Sequence, residues 1–438
     1  MTQIASAPPQ ATVASPPAQQ VAPPTAAAQR AAARRHYFTG TPGRMRINAV
    51  IAAVMCLAFA AVGFFGLRAL DGAVDRAGAN TEQVIRVQQI YADLLTADAA
   101  TTNGFLQGGL EPAQLRASYD KSIAAVSSNI AAAAKAQPAD GVALAALNTK
   151  LESYTSYIDQ ARSYNRQTLP VGAQYQTLAS QQLRAEILPI VAELAKANQQ
   201  RADQELGAGL AGIIPIVVGV LTLIVLAAIA LWLAKKTHRY LNLPLTGAIL
   251  LVLAATALLL TSVASATTTM GRVADGDFKS AVALASGRAA AYDMKSNESL
   301  TLIARGSGRG YEDAYGEARD TALEQLNGAG YGAGKSPDLV ASVNKYNGVH
   351  TRIRSLDNGG DWDAAVELAT QAGAGGANAT FEEFDTRATA ELDKRVKGAL
   401  SALDGLRTPL FPWLVGLAGV LAALAAGRSM TKRIEEYR

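Results

Sequence analysis

The chain has 438 residues, of which 50% are hydrophobic and 17% are charged, and its net charge at pH 7 is +4. A single cysteine excludes an intramolecular disulfide and a thiolate metal site, and the three histidines lie far apart in the sequence. Four apolar runs are each long enough to cross a bilayer as a helix. They cover residues 47–67, 211–234, 247–266 and 410–427. The sequence therefore predicts a polytopic membrane protein.

Basic residues concentrate in the three segments that flank these runs. The segments are residues 1–46, 235–246 and 428–438. The first contains five basic residues and no acidic one. By the positive-inside rule all three segments face the cytoplasm, which predicts a multi-pass protein of the plasma membrane with both termini cytoplasmic. We expect these segments to contact lipid headgroups and not nucleic acid.

The segment 1–46 is rich in alanine and proline and has few large apolar residues to bury. This composition predicts a disordered cytoplasmic tail. The apolar run after it is longer than the core of a typical signal peptide, which favours an uncleaved membrane anchor.

Residues 68–210 form the first large polar region, here called bundle 1, which is predicted to lie outside the membrane. The helical stripe Leu144, Leu147, Leu151, Tyr154 and Ile158 has spacings of 3, 4, 3 and 4, typical of a buried helix seam. Three similar stripes surround it, separated by short turns rich in glycine and proline, and strand patterns are absent. The region is therefore predicted to be an up-and-down four-helix bundle, with a kink or local defect at Pro189 in its last helix.

Residues 267–409, here called bundle 2, repeat this plan in looser form. Tyr154 and Arg162 of bundle 1 have counterparts in Tyr346 and Arg354 at one constant offset. We predict an all-α membrane protein with four transmembrane helices and two extracytoplasmic four-helix bundles that arose by internal duplication.

No catalytic motif stands out from this helical pattern. The chain contains no phosphate-binding P-loop, no His-Glu-x-x-His motif and no Gly-x-Ser-x-Gly nucleophile elbow. The run from Arg305 to Gly310 (RGSGRG) superficially resembles a phosphate loop, but it lacks a preceding strand and is interpreted as a turn between helices. We expect a protein that is not an enzyme and that holds no cofactor and no metal ion.

Asp98 is the first candidate functional residue, because it occupies a seam position seven residues after Tyr91, where an apolar residue is expected. One interpretation is a partly buried carboxylate near a ligand or a switch point. The alternative is that the helix already splays at this level, close to the glycines that end it.

Three further candidates for contact with a ligand or partner are Arg162, Arg354 and Tyr164. The two arginines are able to receive an acidic ligand or a carboxylate of a partner protein, and the alternative role is a salt bridge at the rim of each bundle. Tyr164 belongs to a tyrosine group near the turn between the third and fourth helices, where protein contact and seam packing are both open.

The signal output is expected to lie in the short cytoplasmic segments. The candidate output residues are Lys235, Lys236, Arg239, Lys432 and Arg433.

The stretches 87–109 (VQQIYADLLTADAATTNGFLQGG) and 154–175 (YTSYIDQARSYNRQTLPVGAQY) resemble the actinobacterial four-span membrane proteins of the GlnX type. The resemblance covers the chain in length and span order, except for its Pro/Ala-rich start. It implies a relay from an extracytoplasmic glutamine-binding-type lipoprotein (GlnH), which binds solutes, to a cytosolic Ser/Thr kinase of the protein kinase G type. The signal would report aspartate and glutamate. The bundles are also similar in plan to the four-helix sensor domains of chemoreceptors.

These features together predict a non-enzymatic transmembrane signal transducer. Two other functions remain open: a direct small-molecule sensor with a ligand pocket inside a bundle, and an accessory subunit of a transporter. The sequence also leaves the oligomeric state open, and a homo-oligomer is compatible with it.

Overall fold

A computed structural model describes residues 40–207, 212–237, 242–332 and 334–435. Thirteen α-helices follow one another in these ranges: α1 (Gly40–Leu106), α2 (Ala113–Ala136), α3 (Gly141–Arg166), α4 (Val171–Gln182), α5 (Leu188–Gly207), α6 (Ile213–Thr237), α7 (Leu243–Val273), α8 (Lys279–Ile303), α9 (Arg309–Gly328), α10 (Leu339–Asn358), α11 (Trp362–Thr370), α12 (Ala377–Asp404) and α13 (Phe411–Glu435). The described residues contain no strand, which confirms the all-α fold class.

Three short elements complete the helical structure. A 3₁₀ helix covers Pro138–Asp140, and single π-helical segments cover Leu183–Ile187 and Ala274–Phe278. The first π segment joins α4 to α5, and the second joins α7 to α8. Of the predicted tail 1–46, residues 1–39 lie outside the described residues, and α1 begins at Gly40.

Four helical stretches are long and apolar enough to cross a membrane: Gly43–Leu106, Ile213–Lys236, Leu243–Ile303 and Phe411–Met430. They contain the four apolar runs of the sequence. Many of their large apolar side chains face outward, among them Val50, Ile214, Leu231, Leu253 and Leu424. Such surfaces are costly in water and stable against lipid chains. The protein is therefore a membrane protein.

Small residues allow these helices to pack closely. A Cβ atom added at Gly219 of α6 would lie 2.5 Å from Oγ1 of Thr256 in α7 and 3.0 Å from Cε2 of Phe59 in α1. We expect Gly219→Leu to destabilise the protein by about 1–3 kcal/mol, because the larger side chain overpacks this contact. Thermal unfolding in detergent measures the effect. Gly247→Leu is the matched control, since a Cβ atom at Gly247 meets nothing within 4 Å, and an equal loss in both variants would contradict the prediction.

Bundle 1 contains the four predicted helical rods: the later part of α1, α2, α3, and α4 joined to α5. The seam that was read from the sequence is buried in α3, where the exposed fraction of Leu147, Tyr154 and Ile158 is 0%. The π-helical segment ends two residues before Pro189. Proline has no N–H to donate to the carbonyl four residues earlier, so the regular α-helical ladder is interrupted here.

Bundle 2 contains the four long helices α8, α9, α10 and α12, and one short helix that the sequence analysis did not predict. This extra helix, α11, lies in the connection between α10 and α12. The glycine-rich patch 373–376 forms the turn after it, and α12 begins directly after Gly376. Tyr346, the counterpart of Tyr154, is likewise buried in the seam of its bundle.

The two bundles pack against each other through α1 and α8. The core of bundle 1 includes Ala289 of α8, and the core of bundle 2 includes Ile85 and Leu106 of α1. Every residue of α8 from Met294 to Leu302 is buried, including its polar ones. A helix that is enclosed on all sides must find hydrogen-bond partners for these polar side chains within the protein.

Candidate functional site

Asp98 lies at the centre of the contact between the bundles, and its side chain is 0% exposed. Its Oδ1 atom accepts a hydrogen bond of 2.6 Å from Ser180 and a long one of 3.5 Å from Tyr154. Its Oδ2 atom accepts one of 2.5 Å from Ser296, which belongs to bundle 2. The interpretation of Asp98 as the end of a splaying helix is wrong, because α1 continues to Leu106 and encloses this carboxylate.

Arg184 joins the two bundles by bridging two carboxylates. Its Nη1 atom lies 3.0 Å from Oδ2 of Asp98, and its Nη2 atom lies 2.7 Å from Oδ1 of Asp293 in α8. Nη2 also donates to Oγ of Ser296 at 3.0 Å. Asp98, Arg184, Asp293 and Ser296, with Ser180 beside them, are here called the junction.

The local backbone places Arg184 at this point. The residue lies in the π-helical segment Leu183–Ile187, just before Pro189. A π-helical turn inserts one extra residue into a helix and changes the direction of the side chains around it, and such turns are frequent at functional sites. The proline that was predicted to disturb this helix therefore directly follows the segment that carries the linking residue, with only Leu188 between them.

The junction contains two carboxylates and one guanidinium group. Burial lowers the pKa of Arg184, but Asp98 and Asp293 outweigh it and hold that pKa above its ordinary value, so the guanidinium stays charged. Burial raises the pKa of Asp293, although Arg184 acts in the opposite direction. Because low-dielectric surroundings make unbalanced charges costly, the junction is sensitive to any added charge or displaced side chain.

A cavity of about 610 Å³ opens beside the junction, with walls from both bundles. Arg184 and Asp293 belong to its lining, together with Tyr91, Lys196 and Glu317. This mixture of cationic, anionic and aromatic groups is suited to a small polar molecule or to a side chain of a partner protein.

A second buried cluster lies in bundle 2, on the same helix α8. Glu298 is 0% exposed on its side chain, and its Oε1 atom lies 3.1 Å from Nζ of Lys295. Its Oε2 atom lies 3.1 Å from Nδ1 of His350. The other ring nitrogen, Nε2, lies 3.2 Å from Oε1 of Glu312, and the ring stacks on Tyr315 at 3.5 Å between centroids.

The charges of this cluster stabilise one another. Burial raises the pKa of Glu298, but Lys295 and His350 outweigh it and leave that pKa below its ordinary value. Burial lowers the pKa of His350, but its hydrogen bonds to Glu298 and Glu312 outweigh it and raise that pKa above 6.5. The two carboxylates therefore favour the charged imidazolium form of His350.

We expect the stability of the protein to fall as the pH rises from 6.5 through the raised pKa of His350. The folded protein binds this proton more tightly than the unfolded chain, so the contribution is complete below pH 6.5 and is lost above the folded-state pKa. Thermal unfolding at several pH values measures the slope, and His350→Gln is expected to flatten it. Glu298 and Glu312 face the same cluster, but their lowered pKa values place their titration below this pH range. An unchanged slope in this variant would therefore assign the pH dependence to groups outside the cluster.

Arg162 and Arg354 occupy equivalent structural positions, each paired with a glutamate near the start of the second helix of its own bundle. Nε of Arg162 lies 2.9 Å from Oε2 of Glu111, and its guanidinium covers the ring of Tyr119 at 4.1 Å. Nε of Arg354 lies 3.0 Å from Oε2 of Glu312. The geometry corresponds to the salt-bridge interpretation of both arginines, and it adds a structural parallel between the two bundles.

Tyr164 stacks on Tyr175, with ring centroids 5.4 Å apart. None of the other predicted site residues is a hydrogen-bond partner of Asp98, so the structure does not gather the predicted residues into one site. Their roles toward a ligand or partner stay predictions.

The predicted output residues are only partly covered by the structure. Lys235 and Lys236 are exposed in the last turn of α6. Arg239 lies outside the described residues, and the side chains of Lys432 and Arg433 at the end of α13 also lie outside them.

Sequence reasoning missed the residues around Asp98, namely Ser180, Arg184, Asp293 and Ser296. It also missed the second buried cluster of Lys295, Glu298 and His350. A usable signal was present in the segment 293–301 (DMKSNESLT), where charged and hydroxyl residues occupy every face of a predicted helix. This pattern suits an exposed helix equally well. Only the packing of bundle 1 against α8 distinguishes the two cases.

Residues 73–207 match the model of the family described as Actinobacterial sensor domain. The finding supports an actinobacterial sensor protein. The matched range lies within bundle 1 and contains Asp98 and Arg184, whereas their partners Asp293 and Ser296 lie outside it, in bundle 2. Comparisons with curated proteins and with solved structures give no match.

Proposed function

We propose that this protein is a non-enzymatic transmembrane signal transducer, in which the sensor domain and bundle 2 exchange between two packings at the junction. The observation that carries the proposal is the ion bridge from Asp98 through Arg184 to Asp293, which joins the sensor domain to the neighbouring bundle in a buried setting. Ligands act on such an element by stabilising one arrangement over the other.

The two helices that meet at the junction also lead into the membrane. Asp98 belongs to the helical stretch Gly43–Leu106, and Asp293 belongs to the stretch Leu243–Ile303, and both stretches contain a predicted span. At about 1.5 Å per residue, the 31 residues from Leu67 to Asp98 correspond to about 45 Å of helix. A shift or rotation at the junction therefore has a stiff route to the first and third spans.

The proposed input is an extracytoplasmic lipoprotein that binds aspartate or glutamate, and the proposed receiver is a cytosolic Ser/Thr kinase. Both partners follow from the resemblance to GlnX-type proteins, and the match to a sensor domain supports a sensory role. Both termini and the 235–246 connector would then be cytoplasmic, as the positive-inside rule predicts.

A pull-down in mild detergent with the full chain as bait tests this relay. We expect recovery of a solute-binding lipoprotein and of a Ser/Thr kinase, with yields that change when glutamate or aspartate is added. Recovery of neither partner by a well-folded bait would contradict the relay.

The cytoplasmic output is tested by reversing the charges of Lys235, Lys236 and Arg239 to glutamate. The correctly inserted variant is expected to lose phosphorylation of the cytosolic target while keeping the lipoprotein contact. Wild-type signalling in this variant would exclude the connector as the output element.

The cavity beside the junction favours a second candidate function, direct sensing of a small molecule. Calorimetry on the purified protein, without any binding protein, distinguishes the two functions. Binding of glutamate or aspartate that weakens in Lys196→Gln and Glu317→Gln, both of which line the cavity, would favour direct sensing.

A further inference from the structure

A separate cavity of about 580 Å³ lies at the turn between α8 and α9 in bundle 2 and is here called the turn cavity. Its lining includes three arginines and one tryptophan: Arg305, Arg309, Arg354 and Trp362. The turn itself is the RGSGRG run of the sequence. The resemblance of this run to a phosphate loop was discounted because no strand precedes it, and the structure confirms a helix–helix turn.

The backbone holds Arg305 in an unusual conformation over the cavity. Its φ angle is +41°, in the left-handed region that residues other than glycine rarely adopt. Its guanidinium lies 3.9 Å from the ring centroid of Trp362, and the indole Nε1 donates to the carbonyl of Leu302 at 3.0 Å. The tryptophan is fixed by this bond and in turn positions the arginine. Strained residues that the surroundings hold in place are concentrated at ligand sites and switches.

The backbone of the turn packs so closely against the end of α8 that Gly308 has no space for a side chain. A Cβ atom added at Gly308 would lie 2.6 Å from the carbonyl oxygen of Thr301 and 2.9 Å from its Cα atom. Both are backbone atoms of the end of α8, so they cannot move aside as a flexible side chain would. The close approach fixes Arg305 and Arg309 on either side of Gly308 at the cavity.

The charges of the turn cavity are uneven. Arg354 is paired with Glu312 and Asp357, which also line the cavity. Arg309 is exposed, and neither Arg309 nor Arg305 forms an ion pair or a side-chain hydrogen bond with the residues that the structure describes. The guanidinium of Arg305 lies against the tryptophan ring. Three guanidinium groups thus line the cavity together with two carboxylates. The lining therefore has one positive charge that no carboxylate of the lining balances.

The single unbalanced positive charge of the lining favours an anion with one negative charge over an anion with two. A monocarboxylate neutralises this charge. It also suits the chemistry of the site, because guanidinium groups bind a carboxylate through two parallel hydrogen bonds. Phosphate carries more than one negative charge near pH 7 and would be opposed by Glu312 and Asp357. Those two carboxylates also provide acceptors for an ammonium or hydroxyl group on the same ligand.

The turn cavity is connected to the junction by α8. Glu312 pairs with His350, and His350 pairs with Glu298. Glu298 in turn pairs with Lys295. The residue after Lys295 in the sequence is Ser296, which belongs to the junction. A ligand that competes with Glu312 for Arg354 would loosen or redirect this chain of contacts. The helix that carries the chain is enclosed by protein, so a rearrangement at one of its ends is opposed by neighbours along its whole length.

We infer that the turn cavity binds a small organic acid with one net negative charge, held by Arg305 and Arg309, and that its occupancy acts on the junction through Glu312 and α8. The inference deepens the proposed sensory function by giving bundle 2 a ligand of its own.

Calorimetry on the full chain in detergent tests the site, with butyrate, glutamate and inorganic phosphate as separate probes. We expect at least one of the two organic acids to bind more tightly than phosphate, and its Kd to rise at least tenfold in both Arg305→Gln and Arg309→Gln. Arg319→Gln is the matched control, because Arg319 lies on the same helix α9 and pairs only with its neighbour Asp320 at the surface. The control is expected to keep the wild-type Kd.

Three outcomes would overturn the inference: no binding of any probe at millimolar concentration, phosphate binding more tightly than both acids, or a Kd that neither arginine variant changes. Each is a property of purified protein without lipoprotein or kinase. A failure here therefore leaves the relay untouched, and a failed pull-down leaves the binding result untouched.

Discussion

Arg184→Met is expected to destabilise the protein by about 3 kcal/mol and to weaken the contact between bundle 1 and bundle 2. The substitution removes the guanidinium and leaves the carboxylates of Asp98 and Asp293 facing each other in a buried setting. Breaking a buried ion pair from one side costs about 3–5 kcal/mol. The lower end applies here, because 23% of the arginine side chain is exposed. Urea-induced unfolding in detergent measures the loss.

The control for this prediction is Arg116→Met, since Arg116 forms an exposed pair with Asp120 one helical turn away. Such pairs contribute about 0.3–0.5 kcal/mol. Adding Asp98→Asn and Asp293→Asn to the Arg184 variant is expected to recover part of the loss, because no uncompensated charge then remains in the junction. If the single variant is as stable as the control, the bridge does not hold the bundles together.

Glu298→Ala is expected to destabilise the protein by about 3–5 kcal/mol, the second large effect. The glutamate is the shared partner of Lys295 and His350, and both of these side chains are less than a tenth exposed. Its removal leaves a buried ammonium group without its carboxylate and opens a cavity in the middle of bundle 2. Urea-induced unfolding again measures the loss.

Two variants separate charge from packing in this cluster. Glu324→Ala removes an exposed glutamate from the same bundle and is expected to change the free energy of unfolding by less than about 0.5 kcal/mol. The double substitution Glu298→Met with Lys295→Met keeps the volume and removes both charges, so it is expected to recover much of the stability that Glu298→Ala loses. A double variant as unstable as Glu298→Ala would show that packing, and not the lone charge, dominates.

The sequence determined the parts of this protein that depend on local pattern. Helix periodicity predicted the seam of α3 correctly, and apolar length predicted the four membrane spans, because a bilayer of fixed thickness and a helix of fixed rise permit few alternatives. Pro189 marked a local defect for a similar reason, since the missing N–H is a property of one residue. These features require no knowledge of distant contacts.

The tertiary structure alone decided what the polar residues do. Asp98 was noticed because a carboxylate interrupts an apolar stripe, but its partners come from three other helices, up to 198 residues away in the sequence. His350 has no acidic neighbour in the sequence at ligand spacing, yet it lies between Glu298 and Glu312 in the fold. The physical reason is that a buried charge is stabilised by whatever the packing brings to it, and helices pack by shape and apolar area. The sequence shows that a helix carries charged residues, and only the packed bundles show which of them are enclosed.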